Sequence, residues 1–228
     1  MRLAHTVHRP ACRARNAATH NRRRDPRGIA LYKHSMIHAT QLCRAGLAGL
    51  RDLEKSEIEA VVAYWHRGGA DLAHLGVDTA RMGTPDDMRR WYRSRLRTGD
   101  KAQPQIAYAI TLDANLVGYT LLNRYERGIG HSHWHIIARD VRAQGISSAL
   151  YPHRIKMYFD TSDIQRLTHQ TLTRNIGVNR MLDKFVAVAE TGFVTNPDGL
   201  ALPGEFHMRY VTRADVPRLF EIAARSTA

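Results

Sequence analysis

The stretch Arg142-Ala143-Gln144-Gly145-Ile146-Ser147 decides how this chain is read. It follows an apolar run at 132–138 with the alternation of a strand, and it leads at once into a helical pattern that continues to about Phe159. Where a strand turns sharply into a helix, the first backbone N–H groups of the helix have no intrahelical partner and converge on one point. The helix dipole adds positive potential there, so an anion such as a phosphate is a natural ligand. Gly145 has no Cβ and lets a ligand come close to the backbone, while Ser147 is small and can donate. The spacing R-x-x-G-x-S alone does not identify such a site, because many strand-to-helix turns hold a glycine for conformational reasons only.

Outward from this loop, the pattern alternates strands and helices. Residues 47–53 read as a short strand. A helix follows with Ser56 as N-cap and Ile58, Val61, Val62 and Trp65 on one face, ended by Gly68-Gly69. A second helix begins at Thr84-Pro85-Asp86-Asp87, with Thr84 as cap and Pro85 at the first helical position, and runs to Thr98-Gly99. Residues 105–112 and 116–125 form a hairpin about the turn Asp113-Ala114-Asn115, and 132–138 is the third strand. Beyond the helix after the loop come a strand at 167–173, a helix at 178–185, a closing strand at 206–211 and a C-terminal helix at 213–225. Pro152 lies too deep in its helix to be an N1 proline, which predicts a kink or break there. This order is an α/β layout with the mixed sheet that a late crossover requires.

The loop resembles the (Q/R)-x-x-G-x-(G/A) acetyl-CoA motif of the GNAT acyltransferase superfamily, with Ser147 in the last small position. The block from Thr171 to Phe185, with Asn175, Asn179 and Leu182, is similar to the T-x-N…N-x-x-L strand–helix that closes the family's cofactor cleft. The resemblance implies a mostly antiparallel, mixed, twisted sheet flanked by helices over 46–228, and acetyl-CoA as acyl donor. It implies cofactor contacts from Arg142, Ala143, Gln144, Gly145, Ile146, Ser147, Asn175 and Asn179. It also implies that the backbone of Ile136, Ile137 and Ala138 pairs with the pantetheine arm and offers an N–H to the thioester oxygen. Many members carry a tyrosine general acid where this chain has Leu182, and a subset with two asparagines has leucine there as well. The Gly-Phe pair that ends the family motif comes late, at Gly192-Phe193.

In such an enzyme an amine, of a small molecule or a peptide, attacks the thioester directly and must lose a proton. His131, His133 and His135 alternate on one strand face, and histidine titrates near neutrality. His131 and His133 are therefore candidate bases, with Glu126 at the end of the preceding strand as a rival. Each histidine also has a plain reading as a hydrogen-bonded or solvent-facing side chain. A zinc triad is excluded, because three residues at i, i+2 and i+4 spread over roughly 13 Å of strand; no metal is expected. Trp65, Trp91 and Tyr92 read as core residues, and Asn175 and Asn179 can equally be turn or cap residues. The alternative function is a GNAT-fold protein that binds CoA or a macromolecule without catalysis.

Composition sets the remaining bounds. The chain has 228 residues, of which 43% are hydrophobic and 24% charged, enough to bury a core. No apolar run reaches the roughly 18 residues of a membrane span. Two cysteines, Cys12 and Cys43, in no paired motif, argue against a disulfide scaffold and fit a reducing, cytoplasmic compartment. The net charge of +13 is uneven: residues 1–50 hold ten Lys and Arg against one acid, Asp25, which gives +9 and leaves +4 for the rest. Residues 1–45 thus read as a basic leader expected to be disordered. Three readings of its first 35 residues stay open: an over-extended start before Met36, a targeting segment, or an arm on which Arg22-Arg23-Arg24 neutralise nucleic-acid phosphates.

Overall fold

Eight strands make one sheet in the computed structural model, which describes residues 36–96, 107–126, 128–197 and 199–226. The strands are β1 (Ile37–Cys43), β2 (Gly46–Asp52), β3 (Ala107–Leu112), β4 (Asn115–Glu126), β5 (Ile129–Ile136), β6 (Arg166–Leu172), β7 (Glu190–Val194) and β8 (Gly204–Thr212). The helices are α1 (Ile58–Arg67), α2 (Gly69–His74), α3 (Pro85–Ser94), α4 (Ile146–Thr161), α5 (Ile176–Leu182) and α6 (Val216–Ser226). The sheet order is β1-β2-β3-β4-β5-β6-β8-β7, and every neighbouring pair is antiparallel except β5 and β6, which α4 connects as a parallel crossover. This is the mixed, mostly antiparallel sheet flanked by helices that the sequence implied. No helix among the described residues is long and apolar enough to cross a membrane.

Local chemistry sets the elements. Thr84 Oγ1 accepts from the Asp87 N–H at 3.2 Å while the Asp87 carboxylate accepts from the Thr84 N–H at 3.0 Å, a capping box with Pro85 behind it. Asp113 and Ala114 both take positive φ, 48° and 69°, which makes the tight hairpin turn between β3 and β4. The expected cap at Ser56 is replaced by Glu54 and Glu57, whose longer side chain reaches back to the Glu54 N–H at 2.9 Å and closes a 3₁₀ turn ahead of α1. Gly68 ends α1, but α2 follows without a loop. α4 runs unbroken through Pro152, contrary to expectation: the proline is buried, and a helix held by the sheet and by α6 keeps its course despite one missing hydrogen bond.

Alternation divides the strand side chains between two layers. On one face Ile58, Val61, Val62 and Trp65 of α1 and Tyr92 of α3 pack against Ala107, Ala109, Tyr119 and Leu121. On the other, Tyr151, Ile155 and Tyr158 of α4 meet Leu122, Leu167, Leu182 and Leu219. Each such large apolar side chain contributes about 1.5–3 kcal/mol on burial.

Two strands were not foreseen. β1 pairs with β2 from Ile37↔Arg51 to Cys43↔Gly46, so the expected boundary at 45/46 lies too late; the alternation breaks at Thr40-Gln41, which hides the strand. β7 is the opposite edge, short and exposed, with Phe193 70% accessible and the Gly192-Phe193 pair within it. Residues 1–35, with the arginine cluster offered to nucleic acid, lie outside the described residues.

Candidate functional site

β5 and β6 stay paired only from Ile129↔Arg166 to His131↔Thr168, and then separate. The rest of β5 keeps its partner on the other side, as far as Gly118↔Ile136. A register shift at Ile110/Thr111 leaves Val117 of β4 outside the β3 ladder, and its carbonyl accepts from both the Ile137 and Ala138 N–H groups, at 2.8 and 3.2 Å. Those two amides are therefore committed to β4 and are not free for a pantetheine arm, which narrows the expectation for 136–138. Alternation along the strand turns the Ile136 N–H the other way, to the edge that β6 leaves open. The Ile136 carbonyl on that edge accepts from Arg142 Nε at 3.0 Å. A cavity of about 360 Å³ lies beside this point, lined by Tyr64, Arg67, Asp71, Ile137, Ala138 and Arg139.

The loop itself has the geometry of an anion cradle. Ala143 and Gly145 are both left-handed, at φ 58° and 88°, and Gly145 is the N-cap of the sixteen-residue α4. No side chain caps that helix and no acid stands in its first turn. A Cβ built on Gly145 would meet no protein atom within 4 Å, so the space over the glycine is open. The free helical N–H groups and the open space fit a pyrophosphate. Arg142 plays a different part from the contact expected of it. Its guanidinium holds the Ile136 carbonyl and Asp71 (3.1 Å), while Arg139 reaches the same Asp71 carboxylate at 2.9 Å. These bonds tie the loop to the end of β5 and to α2. Arg44 steadies the turn from outside, donating to the Ala143 carbonyl at 2.7 Å.

The strand histidines form a chain of contacts that ends at the cavity. His133 and His135 share one face, and their Nε2 atoms lie 2.6 Å apart. His135 Nδ1 lies 2.7 Å from the hydroxyl of Tyr64, which lines the cavity. Tyr119 stacks on the His135 ring with centroids 5.7 Å apart, and its hydroxyl is fixed by Trp65 Nε1 at 2.8 Å. Burial pushes the His133 imidazole down to about 4, with a further contribution from the Arg154 cation. Burial, then His133 and Arg142, holds His135 well below the usual histidine range. Burial raises the Tyr64 phenol to about 12. At neutral pH all three groups are uncharged.

Other expected residues are placed elsewhere. His131 is on the same face but in the paired part of the strand, in register with Asn123 and Thr168. Glu126 pairs with Ile129 at the far end of β4, seven residues from Tyr119. At ~3.3 Å per residue that is about 23 Å, which removes it as a base beside His135. Asn175 caps α5, its Oδ1 accepting from the Val178 N–H at 3.4 Å. Asn179 is buried and fully engaged: Nδ2 donates to the Leu172 and Thr173 carbonyls, and Oδ1 accepts from Thr171 and Arg209. The structure thus gives both asparagines a capping and bracing role. Leu182 is fully buried in the core. Tyr64 was missed: it stood in the helical pattern of α1 without sitting on its apolar stripe. No group of three or more metal-ligating side chains occurs among the described residues.

Comparison with solved structures finds the same fold at low identity. RimJ of Mycobacterium smegmatis, solved in complex with CoA-disulfide, superposes with a TM-score of 0.59 at 16% identity, covering 81% of this chain and 93% of that one. The RimL ribosomal L7/L12 alpha-N-protein acetyltransferase gives 0.60 at 13% identity over 82% of this chain and 98% of its own. AAC(6')-Ib, in complex with ribostamycin and coenzyme A, gives 0.55 at 17% over 75% and 96%. No protein-family model and no curated protein sequence matches the chain.

Proposed function

From the GNAT acetyltransferase fold that this chain has, we propose that it is an N-acyltransferase that moves an acetyl group from acetyl-CoA to a primary amine. One observation carries the reading: an uncapped sixteen-residue helix opens under a left-handed glycine with free space above it, next to two strands that part. The likeness to acetyltransferases solved with coenzyme A supports it.

When bound, acetyl-CoA would supply an activated acyl carbonyl. The free N–H groups of Gly145, Ile146 and Ser147 would hold its pyrophosphate. The Ile136 N–H, on the open edge, would donate to the thioester oxygen as negative charge grows there. The amine enters from the cavity beside Tyr64. With Tyr64 donating to His135 Nδ1, His135 donates from Nε2 to His133 Nε2. The Tyr64 oxygen then takes the amine proton while each of these protons shifts one place along the chain. Neutral groups suit this role: Tyr64 and His135 each give one proton as they take another, and His133 at the end of the chain accepts. The transferred acyl carbon gains its bond to nitrogen and loses its bond to sulfur. As the thiolate leaves, the shifts run in reverse: His133 gives up the proton it held and Tyr64 delivers one to the sulfur, so that amide, free thiol and a neutral chain remain.

The test combines binding and turnover. Acetyl-CoA at a hundred times its dissociation constant should stabilise the protein by about 2.7 kcal/mol. Free thiol should then appear when a panel of primary amines, from aminoglycosides to peptides with free N-termini, is added. Thermal shifts that are absent at millimolar acetyl-CoA would overturn the proposal.

A further inference from the structure

Arg154 of α4 is 2% exposed, yet among the described residues it has no acidic partner. Neither its Nε nor its Nη2 finds a hydrogen-bond acceptor. Its guanidinium lies 3.9 Å over the Trp134 ring and 5.4 Å from the Tyr151 ring. Such contacts offset only part of the cost of taking a cation out of water. The surroundings add another unpaired polar group. His169 is fully buried, with Nε2 held by the Tyr151 hydroxyl at 2.8 Å and Nδ1 unpartnered. If Tyr151 donates to Nε2, the free Nδ1 carries the proton and is a second donor beside the guanidinium.

These groups meet where the sheet opens. Trp134 is three residues past the last β5–β6 pair and His169 one residue past it, and their rings stand 5.9 Å apart across the parting strands. Arg154 sits against Trp134 on the α4 side of that throat. An acyl group whose thioester oxygen meets the Ile136 N–H would direct its far end into the throat. An acetyl methyl has nothing to offer a bare cation. A carboxylate two carbons further on would pair with it and with the His169 N–H.

Resting on the acyltransferase reading above, we propose that the preferred acyl donor is a short dicarboxylic thioester of coenzyme A, of the succinyl type, with Arg154 as the residue that takes its free carboxylate. The transfer stays balanced: the amine nitrogen bonds to the thioester carbon, the C–S bond breaks, the proton passes to the thiol, and the distal carboxylate is unchanged.

The experiment is calorimetric titration of the full chain with succinyl-CoA, butyryl-CoA and acetyl-CoA. Butyryl-CoA matches succinyl in chain length and lacks only the charge. Succinyl-CoA should bind about tenfold to a hundredfold tighter than butyryl-CoA, the usual worth of a charge-assisted hydrogen bond. Arg154→Met, which keeps the length and the packing on Trp134, should erase that preference while leaving butyryl-CoA affinity unchanged; Arg154→Lys should retain part of it. Equal affinity of the parent protein for succinyl-CoA and butyryl-CoA would overturn this inference and leave the acyltransferase reading standing. Failure of all three thioesters to bind would overturn both. The comparison within the parent protein needs no variant to fold.

Discussion

The Nε2 atoms of His133 and His135 stand 2.6 Å apart, on one face of a strand whose next residue offers its amide to the open side of the sheet. Two protonated rings could not share that distance, and two neutral ones can, if one donates and the other accepts. The pair is therefore a fixed neutral dyad joined to the cavity through Tyr64.

Tyr64→Phe tests the link. Removing the hydroxyl takes away the group that faces the amine and leaves the ring packing in place. Turnover should fall about 10²–10⁴-fold with acetyl-CoA affinity nearly unchanged. The loss should shrink at high pH, where the amine is already neutral. A flat ratio between variant and parent across pH would show that protons leave by another route.

Glu126→Gln is the complementary control. Its place in the strand is about 23 Å along β4 from Tyr119, so turnover and the pH–rate profile should match the parent. A shifted acidic limb would restore Glu126 as a participant.

The same histidines set an acid limit on stability. His133 is pushed down to about 4, and His135 and His169 also lie well below the usual range, because the protein around each ring disfavours its charged form. The unfolded chain therefore binds more protons than the fold once pH drops below about 6.5. Their contribution is complete above that value and is lost as pH falls from about 6.5 toward 4, each histidine steepening the fall. Urea denaturation of the parent between pH 7.5 and 5 should show this fall, and His169→Gln should reduce the slope. A stability independent of pH over that range would contradict the neutral assignment.

Asn179 is expected to matter for stability before it matters for any ligand. It accepts from Arg209 at 3.0 Å and from Thr171 at 2.7 Å, and Arg209 is fully buried and paired with Asp183 at 2.6 Å. Asn179→Ala leaves these donors and two carbonyls short of partners and should cost roughly 2–4 kcal/mol, read from denaturant midpoints. Unchanged stability with weakened acetyl-CoA binding would return Asn179 to the cofactor site.

Much of this fold was legible because its signals are local. The capping box at Thr84, the turn at Asp113-Ala114 and the glycine between strand and helix each rest on residues adjacent in sequence. The alternation of His133 and His135 against Trp134 was equally plain. What stayed hidden depends on contacts between distant segments. Tyr64 meets His135 across 71 residues, and only the packing of α1 on the sheet brings them together. Asn179 matched a motif, but its bonds to β6 and β8 arise from the docking of α5. Edge strands β1 and β7 lack the continuous apolar run of a central strand, because each is covered on one side only.

The central claim is that the turn before α4 holds the phosphates of an acyl-CoA, and Gly145→Asp tests it most directly. A Cβ built at this position would meet no protein atom within 4 Å, and the left-handed φ of 88° costs an Asp about 1–2 kcal/mol, so the fold should survive with a melting temperature lowered by several degrees. The added Cβ and carboxylate would stand where the pyrophosphate approaches. Calorimetric titration with acetyl-CoA should show binding by the parent and none by the variant at the same concentrations. Equal affinity in the two proteins would contradict the account.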